Sequence, residues 1–355
     1  MAMSALHKDI SITRRGQEKF LLQELRNRLT QGQCNQVAPQ VVEISGASHE
    51  ELASFPLFFS AQFLPNAVYT KAESIKSWAS AILDYLIATL GEETSSWCLH
   101  IFDPATAESG EIYSRPTLIA KELRSLLKTK RRSLLRSLQD TCSSESILVQ
   151  VLLTTPNEGY LSVATQTTRA LFGASISSVP AGFFPIADDK SPPSRAFKKL
   201  REAIQVFNLR ITPGQTAVDL GASPGGWSYV VAEHGATVTA IDRSPLEGAV
   251  ARDRKVVFVQ GNAFTWKPPR PVDWLVCDVI TTPDKTLAIL KSWIGDKLCR
   301  NFCVTVKFKG DPDISVLHAI ALYLRSNTTW FAGRQLTHNK NELTVVGRTF
   351  SPHSD

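Results

Sequence analysis

The chain has 355 residues, 43% hydrophobic and 20% charged, an ordinary balance that excludes a largely disordered protein and leaves room for two cores. Lysine and arginine outnumber acidic residues by 39 to 33, a net charge of +6 that tolerates a polyanionic partner without requiring one. The N-terminal MAMSALHKDISITRRG lacks the apolar stretch of a secretory signal and no run is long enough to span a bilayer, so a cytoplasmic protein is expected.

In chain order, Ile10 to Thr13 reads as a short strand. Gly16 leads into a helix over Gln17 to Leu29, with Phe20, Leu21, Leu25 and Leu29 on one face. Val41 to Ile44 and the segment Pro56 to Tyr69 add strand-like material, interrupted at Pro56 and Pro65. Ser74 to Leu90 carries Ile75, Trp78, Ile82, Leu86 and Leu90 as a core-facing helical stripe. Trp97 to Phe102 and Ser146 to Thr154 read as strands.

Between those two strands, Lys121 to Ser137 holds seven basic residues in seventeen positions: Lys121, Arg124, Lys128, Lys130, Arg131, Arg132 and Arg136. Leucines at 123, 126, 127, 134 and 135 give it an apolar side. An amphipathic helix with a basic outer face is expected, suited either to RNA phosphates or simply to solvent. The cysteines, Cys34, Cys98, Cys142, Cys277, Cys299 and Cys303, include no CxxC pair and no histidine at zinc-finger spacing. Reduced, buried thiols and no metal are expected.

The four prolines of VPAGFFPIADDKSPP mark 179–193 as a linker between an α+β region, 1–178, and a second domain, 194–355. In that second domain strands and helices alternate. Arg195 to Phe207 reads as a helix, Ala217 to Leu220 as a strand, Trp227 to His234 as a helix, and Thr237 to Ile241 as a strand ending at Asp242. Strands follow at Val256 to Val259, Trp274 to Cys277 and Phe302 to Val306, with helices at Leu287 to Trp293 and Ile314 to Leu324. A hairpin near Gly333 to Leu336 and Glu342 to Phe350 closes the chain. A Rossmann-like α/β sheet results.

The functional signal lies in AVDLGASPGGWSYVVAEHGATVTAID, Ala217 to Asp242. Asp219, Gly221, Ser223, Pro224, Gly225, Gly226 and Trp227 form a strand-loop-helix junction, and Asp242 ends the next strand, where a carboxylate can accept both ribose hydroxyls of a nucleoside. The DxGxxPGG spelling is not the GxGxxG of dinucleotide enzymes. An acidic residue before the turn suits a ligand with an ammonium group, as S-adenosylmethionine has. Asp219, Asp242, Asn262, Asp278 and Lys307 all fall at strand C-terminal ends, where open α/β sheets bind ligands. The loop alone leaves the methyl acceptor open.

Lys199, Asp278, Lys307 and Glu342 follow one another in the order Lys, Asp, Lys, Glu. That order resembles the tetrad of FtsJ-like ribose 2′-O-methyltransferases. The motifs PSRAFKKL from Pro193 to Leu200, WLVCD from Trp274 to Asp278, Val306-Lys307 and GRQL from Gly333 to Leu336 are similar to the bacterial members that act on large-subunit ribosomal RNA and carry an N-terminal THUMP domain. The resemblance implies S-adenosylmethionine as cofactor and ribosomal RNA, at a nucleotide such as a cytidine, as substrate. It implies cofactor contacts at Ser194, Ser223 to Gly226, Asp242, Asn262 and Asp278. It also implies Lys307 as the group that accepts or polarises the hydroxyl proton, Asp278 as its orienting partner, and positioning roles for Lys199 and Glu342. Asn262 departs from the acidic residue usual in the family, although its amide oxygen can still accept a hydrogen bond. A base N-methyltransferase is disfavoured by the lack of an NPPY-like motif.

Overall fold

The computed structural model describes residues 8–91, 95–109 and 114–349. The chain divides into two compact units between Phe183 and Phe184.

The first unit contains β1 (Lys8–Ile12), α1 (Glu18–Arg26), β2 (Gln33–Ala38), β3 (Val41–Ser45), α2 (His49–Ala53), β4 (Gln62–Lys71), α3 (Ile75–Leu90) and β5 (Trp97–Phe102). It continues with α4 (Pro104–Ser109), α5 (Ser114–Lys130), α6 (Arg132–Ser137), β6 (Leu138–Gln139), β7 (Ile147–Thr155), β8 (Glu158–Ala164) and α7 (Gln166–Phe172). Its eight strands run in the order β2-β3-β1-β4-β8-β7-β5-β6. The long strand β4 joins two halves: Gln62 to Ala67 pairs with β1, whereas Val68 to Lys71 pairs with β8.

Helix α3 begins where Ser74 and Ser77 form a reciprocal capping box, and its face of Trp78, Ile82, Leu83 and Leu86 packs with Ile119, Leu123 and Leu127 of α5 and with Val149 and Val151 of β7. The basic segment is two helices rather than one. The chain breaks at Arg131, whose backbone is non-helical (φ −148°, ψ 69°). Leu123, Leu127 and Leu134 face the core, and all seven basic residues are exposed.

Strands β2 and β8 were not expected. The turn residues Pro156, Asn157 and Gly159 close a hairpin, and Tyr160 and Leu161 continue the core on the returning strand. The cysteines are also corrected. Cys98 and Cys142 are bonded to each other, while Cys34, Cys277, Cys299 and Cys303 are free and buried. Burial pushes the Cys277 and Cys299 thiols up to about 12 and that of Cys303 higher still, so these three stay protonated.

The second unit contains α8 (Phe197–Val206), β9 (Thr216–Leu220), α9 (Gly226–Glu233), β10 (Thr237–Asp242), β11 (Val256–Gln260), β12 (Val272–Cys277), α10 (Pro283–Gly295), β13 (Cys299–Lys307), α11 (Ile314–Asn327), β14 (Thr328–Arg334) and β15 (Glu342–Thr349). The sheet order is β11-β10-β9-β12-β13-β15-β14. The first five strands are parallel, and β15 is antiparallel to both of its neighbours. Strand order reverses between β9 and β12, the kind of switch point beyond whose carboxyl ends open α/β sheets bind ligands.

Local chemistry sets these elements. Pro283 supplies the first turn of α10, and the Asp313 carboxylate accepts from the backbone N–H groups of Ser315 and Val316 to start α11. The closing hairpin differs from expectation at its first strand, which ends at Arg334. The β-favouring Thr328 to Phe331 follow α11 directly, while Leu336 lies in the connection, its N–H donating to Asn339 Oδ1 at 2.8 Å. Phe350, expected in the last strand, lies outside the described residues.

Candidate active site

Four charged side chains arrive from four elements. Lys199 lies on α8, Asp278 follows β12, Lys307 ends β13, and Glu342 begins β15. The register does much of the assembly: Lys307 stands opposite Glu342 across the β13–β15 pair, and Cys277 is paired with Val304, which sets Asp278 beside Thr305. Lys199 Nζ lies 3.1 and 3.0 Å from the two Asp278 oxygens and 2.6 Å from Glu342 Oε1. Lys307 Nζ lies 2.8 Å from Asp278 Oδ1 and 3.4 Å from Glu342 Oε2. All four are largely shielded, Glu342 the most at 5% exposure.

The two lysines are not equivalent. Three short contacts engage the Lys199 ammonium on both carboxylates. Burial alone would lower its pKa, but the charges of Asp278 and Glu342 and their hydrogen bonds outweigh that, holding it above the ordinary lysine value. Lys199 is therefore a fixed cation. Lys307 has one short contact and one long one, and sits at the C-terminal rim of the sheet.

The expected cofactor residues gather at the neighbouring strand ends. Gly221 (φ +74°) turns the chain out of β9, and a Cβ there would come within 3.0 Å of Val279. Ser223 and Pro224 are joined by a cis peptide. Gly225 (φ +118°) starts α9, and a Cβ on Gly226 would lie 2.5 Å from Ser194 Oγ. That serine hydroxyl is buried and has no hydrogen-bond partner among the described residues. A polar atom left unsatisfied beside a bare glycine backbone marks a place for a ligand.

Asp242 accepts from Ser223 N–H at 3.1 Å through one oxygen and from Ser244 N–H at 3.0 Å through the other. Each oxygen keeps a lone pair for ribose hydroxyls. Asn262 Oδ1 already accepts from Phe264 N–H at 3.1 Å, which leaves its second lone pair for an adenine amino group. Trp227 is 2% exposed and its Nε1–H donates to Ala196 O at 3.0 Å, so it fastens α9 to the start of α8 rather than lining the crevice.

Asp219, expected to suit a ligand's ammonium group, lies deeper than that reading needs. It is 1% exposed, beneath the loop, and its Oδ2 accepts from Ser228 Oγ at 2.7 Å. Desolvation first, then the nearby charges of Asp278 and Asp242, push its pKa up to about 7 although Ser228 opposes the shift. Its immediate work is to tie the end of β9 to α9.

Other contributors were not singled out in the sequence. Thr305 donates its hydroxyl to Asp278 Oδ1 at 2.9 Å. It lies two residues before Lys307 on one strand face, a period-two signal that was available. Glu202, fully buried on α8, accepts from Thr337 N–H at 2.6 Å, His338 N–H at 2.8 Å and His338 Nδ1 at 2.7 Å. It ties the helix bearing Lys199 to the connection that leads into Glu342, and no local pattern announces it. The basic residues 121–136 belong to the other unit. Arg124 pairs with Asp140 at 2.7 Å on the surface.

Residues 192–318 match the family model described as FtsJ-like methyltransferase. The chain is 34% identical over 177 residues to ribosomal RNA large subunit methyltransferase M of Azotobacter vinelandii, covering 46% of this chain and 50% of that one. It is 35% identical over 172 residues to the protein of the same name from Halorhodospira halophila, covering 48% and 51%. The chain thus spans about half the length of the curated relatives it matches. Against the crystal structure of TrmN from Thermus thermophilus the TM-score is 0.34 at 15% identity, covering 97% of this chain and 100% of that one, too slight a likeness to bear on function.

Proposed function

We propose that this chain, FtsJ-like over residues 192–318, transfers a methyl group from S-adenosylmethionine to a ribose 2′-hydroxyl of large-subunit ribosomal RNA, at a cytidine, in the cytoplasm. The observation that carries this reading is the four-membered cluster of Lys199, Asp278, Lys307 and Glu342 at the strand ends, beside the glycine loop.

The residues present fit the cofactor. The orphaned Ser194 hydroxyl, the bare Gly225 and Gly226, the remaining acceptor capacity of Asp242 and the oxygen of Asn262 supply what a nucleoside with an amino-acid tail requires. When bound, S-adenosylmethionine supplies a sulfonium-activated methyl.

A ribose hydroxyl is a weak nucleophile at neutral pH, so this chain's residues must orient it and manage its proton. Lys307 Nζ is the group assigned to that proton, and as a neutral amine it would accept it. Asp278 aims Lys307 through the 2.8 Å contact and is itself held by Thr305. Lys199 stays charged, balances the two carboxylates and fixes the spacing between them.

Residues 1–178 are assigned by the same reading to a THUMP-like RNA-binding region, with Lys121, Arg124, Lys128, Lys130, Arg131, Arg132 and Arg136 contacting phosphates. No helix among the described residues is long and apolar enough to cross a membrane. The test is transfer of labelled methyl from S-adenosylmethionine to fractionated RNA and protein from cells lacking the gene. Label confined to large-subunit RNA supports the reading; label confined to protein or to small molecules overturns it.

A further inference from the structure

Cys98 and His100 lie two residues apart on β5, so both side chains stand on one face of the strand. The parallel partner of Cys98 on β6 is Gln139, and the chain leaving β6 returns Cys142 to the same place. One ligand atom from each of Cys98, His100 and Cys142 falls within 4.8 Å of the other two. We propose that, with Cys98 and Cys142 reduced, these three residues bind a thiophilic divalent cation of the zinc class, and that the Cys98–Cys142 disulfide is the alternative, metal-free form of the same site.

Three observations support this. First, His100 is 7% exposed and its Nδ1 is buried with no hydrogen-bond partner among the described residues. A buried imidazole normally donates and accepts, so a bare ring nitrogen in a residue whose ring reaches both sulfurs is what a metal ligand looks like without its metal.

Second, the spacing suits both forms. A Cα–Cα separation of 5.4 Å accommodates a disulfide, and two thiolates on a tetrahedral zinc, each at about 2.3 Å, sit about 3.8 Å apart, a side-chain rotation away. Third, the segment bearing Cys142 is gripped in place. Arg169, 7% exposed, donates to Ser143 O, to Ser146 O at 2.6 Å and to Ser178 Oγ at 2.8 Å. Cys142 is half-buried, so its sulfur can be reached from solvent.

The two forms interconvert with balanced chemistry. A phosphine and one water molecule reduce the disulfide to two thiols and leave the phosphine oxide; coordination of the cation by two thiolates then releases two protons.

The test uses the full chain, reduced with a phosphine, desalted without oxygen and titrated with Co²⁺. The expected result is one equivalent bound with thiolate-to-cobalt charge-transfer absorption, displaced by Zn²⁺ and absent from the oxidised protein. Loss of a ligand in His100→Gln, or in Cys142→Ser, which leaves the buried strand untouched, is expected to weaken binding at least roughly 10- to 100-fold. The proposal is overturned if reduced protein binds no more Co²⁺ than the C98S/C142S double variant, if oxidised protein binds equally, or if Cys142→Ser leaves affinity and spectrum unchanged.

Discussion

Lys307 and Glu342 are paired residue to residue across β13 and β15, yet Lys307 Nζ is 3.4 Å from Glu342 Oε2 and only 2.8 Å from Asp278 Oδ1. Lys199 instead lies 2.6 Å from Glu342. Each carboxylate therefore bridges both lysines, and the tighter hold falls on Lys199.

This asymmetry predicts unequal mutants. Lys307→Ala is expected to lower kcat by at least about 10³-fold, with cofactor affinity within about threefold, because proton management acts in the transition state. Lys199→Ala is expected to lose less, on the order of 10²-fold, and to raise KM, since it disturbs the spacing of Asp278 and Glu342. Single-turnover kinetics with isothermal titration of S-adenosylmethionine separates the two effects; equal losses would contradict the division of roles.

Gly226→Ala places a methyl 2.5 Å from the orphaned Ser194 hydroxyl. Cofactor affinity is expected to fall at least about tenfold, while thermal stability shifts by no more than the roughly 1–3 kcal/mol of an overpacked site. Binding unchanged beside a normal melting curve would remove the cofactor from this loop.

Asp219 predicts a pH signature. Its folded pKa, about 7, lies above the ordinary carboxyl value of 3.8, so the folded state holds the proton more tightly than the unfolded chain. The neutral carboxyl carries no penalty below about pH 4. As pH rises from there towards 7 the unfolded state ionises first and stability falls, and the loss is complete above about 7. Asp219→Asn removes this loss while leaving an acceptor for Ser228. The variant is expected to match wild type near pH 4 and to exceed it by on the order of 2–4 kcal/mol at pH 8. Denaturant titrations at both values check this.

Glu202→Ala leaves two backbone N–H groups and the His338 ring without their acceptor. A loss of about 3–5 kcal/mol is expected, read as a lowered melting temperature, and less for Glu202→Gln. A change below about 1 kcal/mol would mean that the connection is held by other contacts.

On the RNA side, reversing Lys128, Arg132 and Arg136 to Glu is expected to weaken RNA binding and to flatten its salt dependence, with cofactor affinity unchanged. Filter binding at several salt concentrations reads both quantities.

Much of the second unit was legible because alternating apolar runs and glycine turns carry their own period: β9, α9, β10 and β12 lie within a residue or two of where the sequence puts them. The glycine loop could be read from its residues, whereas Lys199 and Glu342 stood out only through family resemblance. What could not be read are contacts set by tertiary register. Glu202 meets His338 across 136 positions, and Cys98 meets Cys142 across 44. Asp219 illustrates a different limit: its identity and position were plain, but whether its carboxyl faces a ligand or lies under the loop depends on packing by Ser228.

Ribose methylation through this cluster is tested most directly by mapping methylation on large-subunit ribosomal RNA from a strain lacking the gene after incubation with S-adenosylmethionine and either wild type or Lys307→Ala. An alkali-resistant methyl at a single nucleotide is expected with wild type and none with the variant. Alkali-sensitive or base-located label, or full activity in Lys307→Ala, would contradict ribose methylation through this cluster.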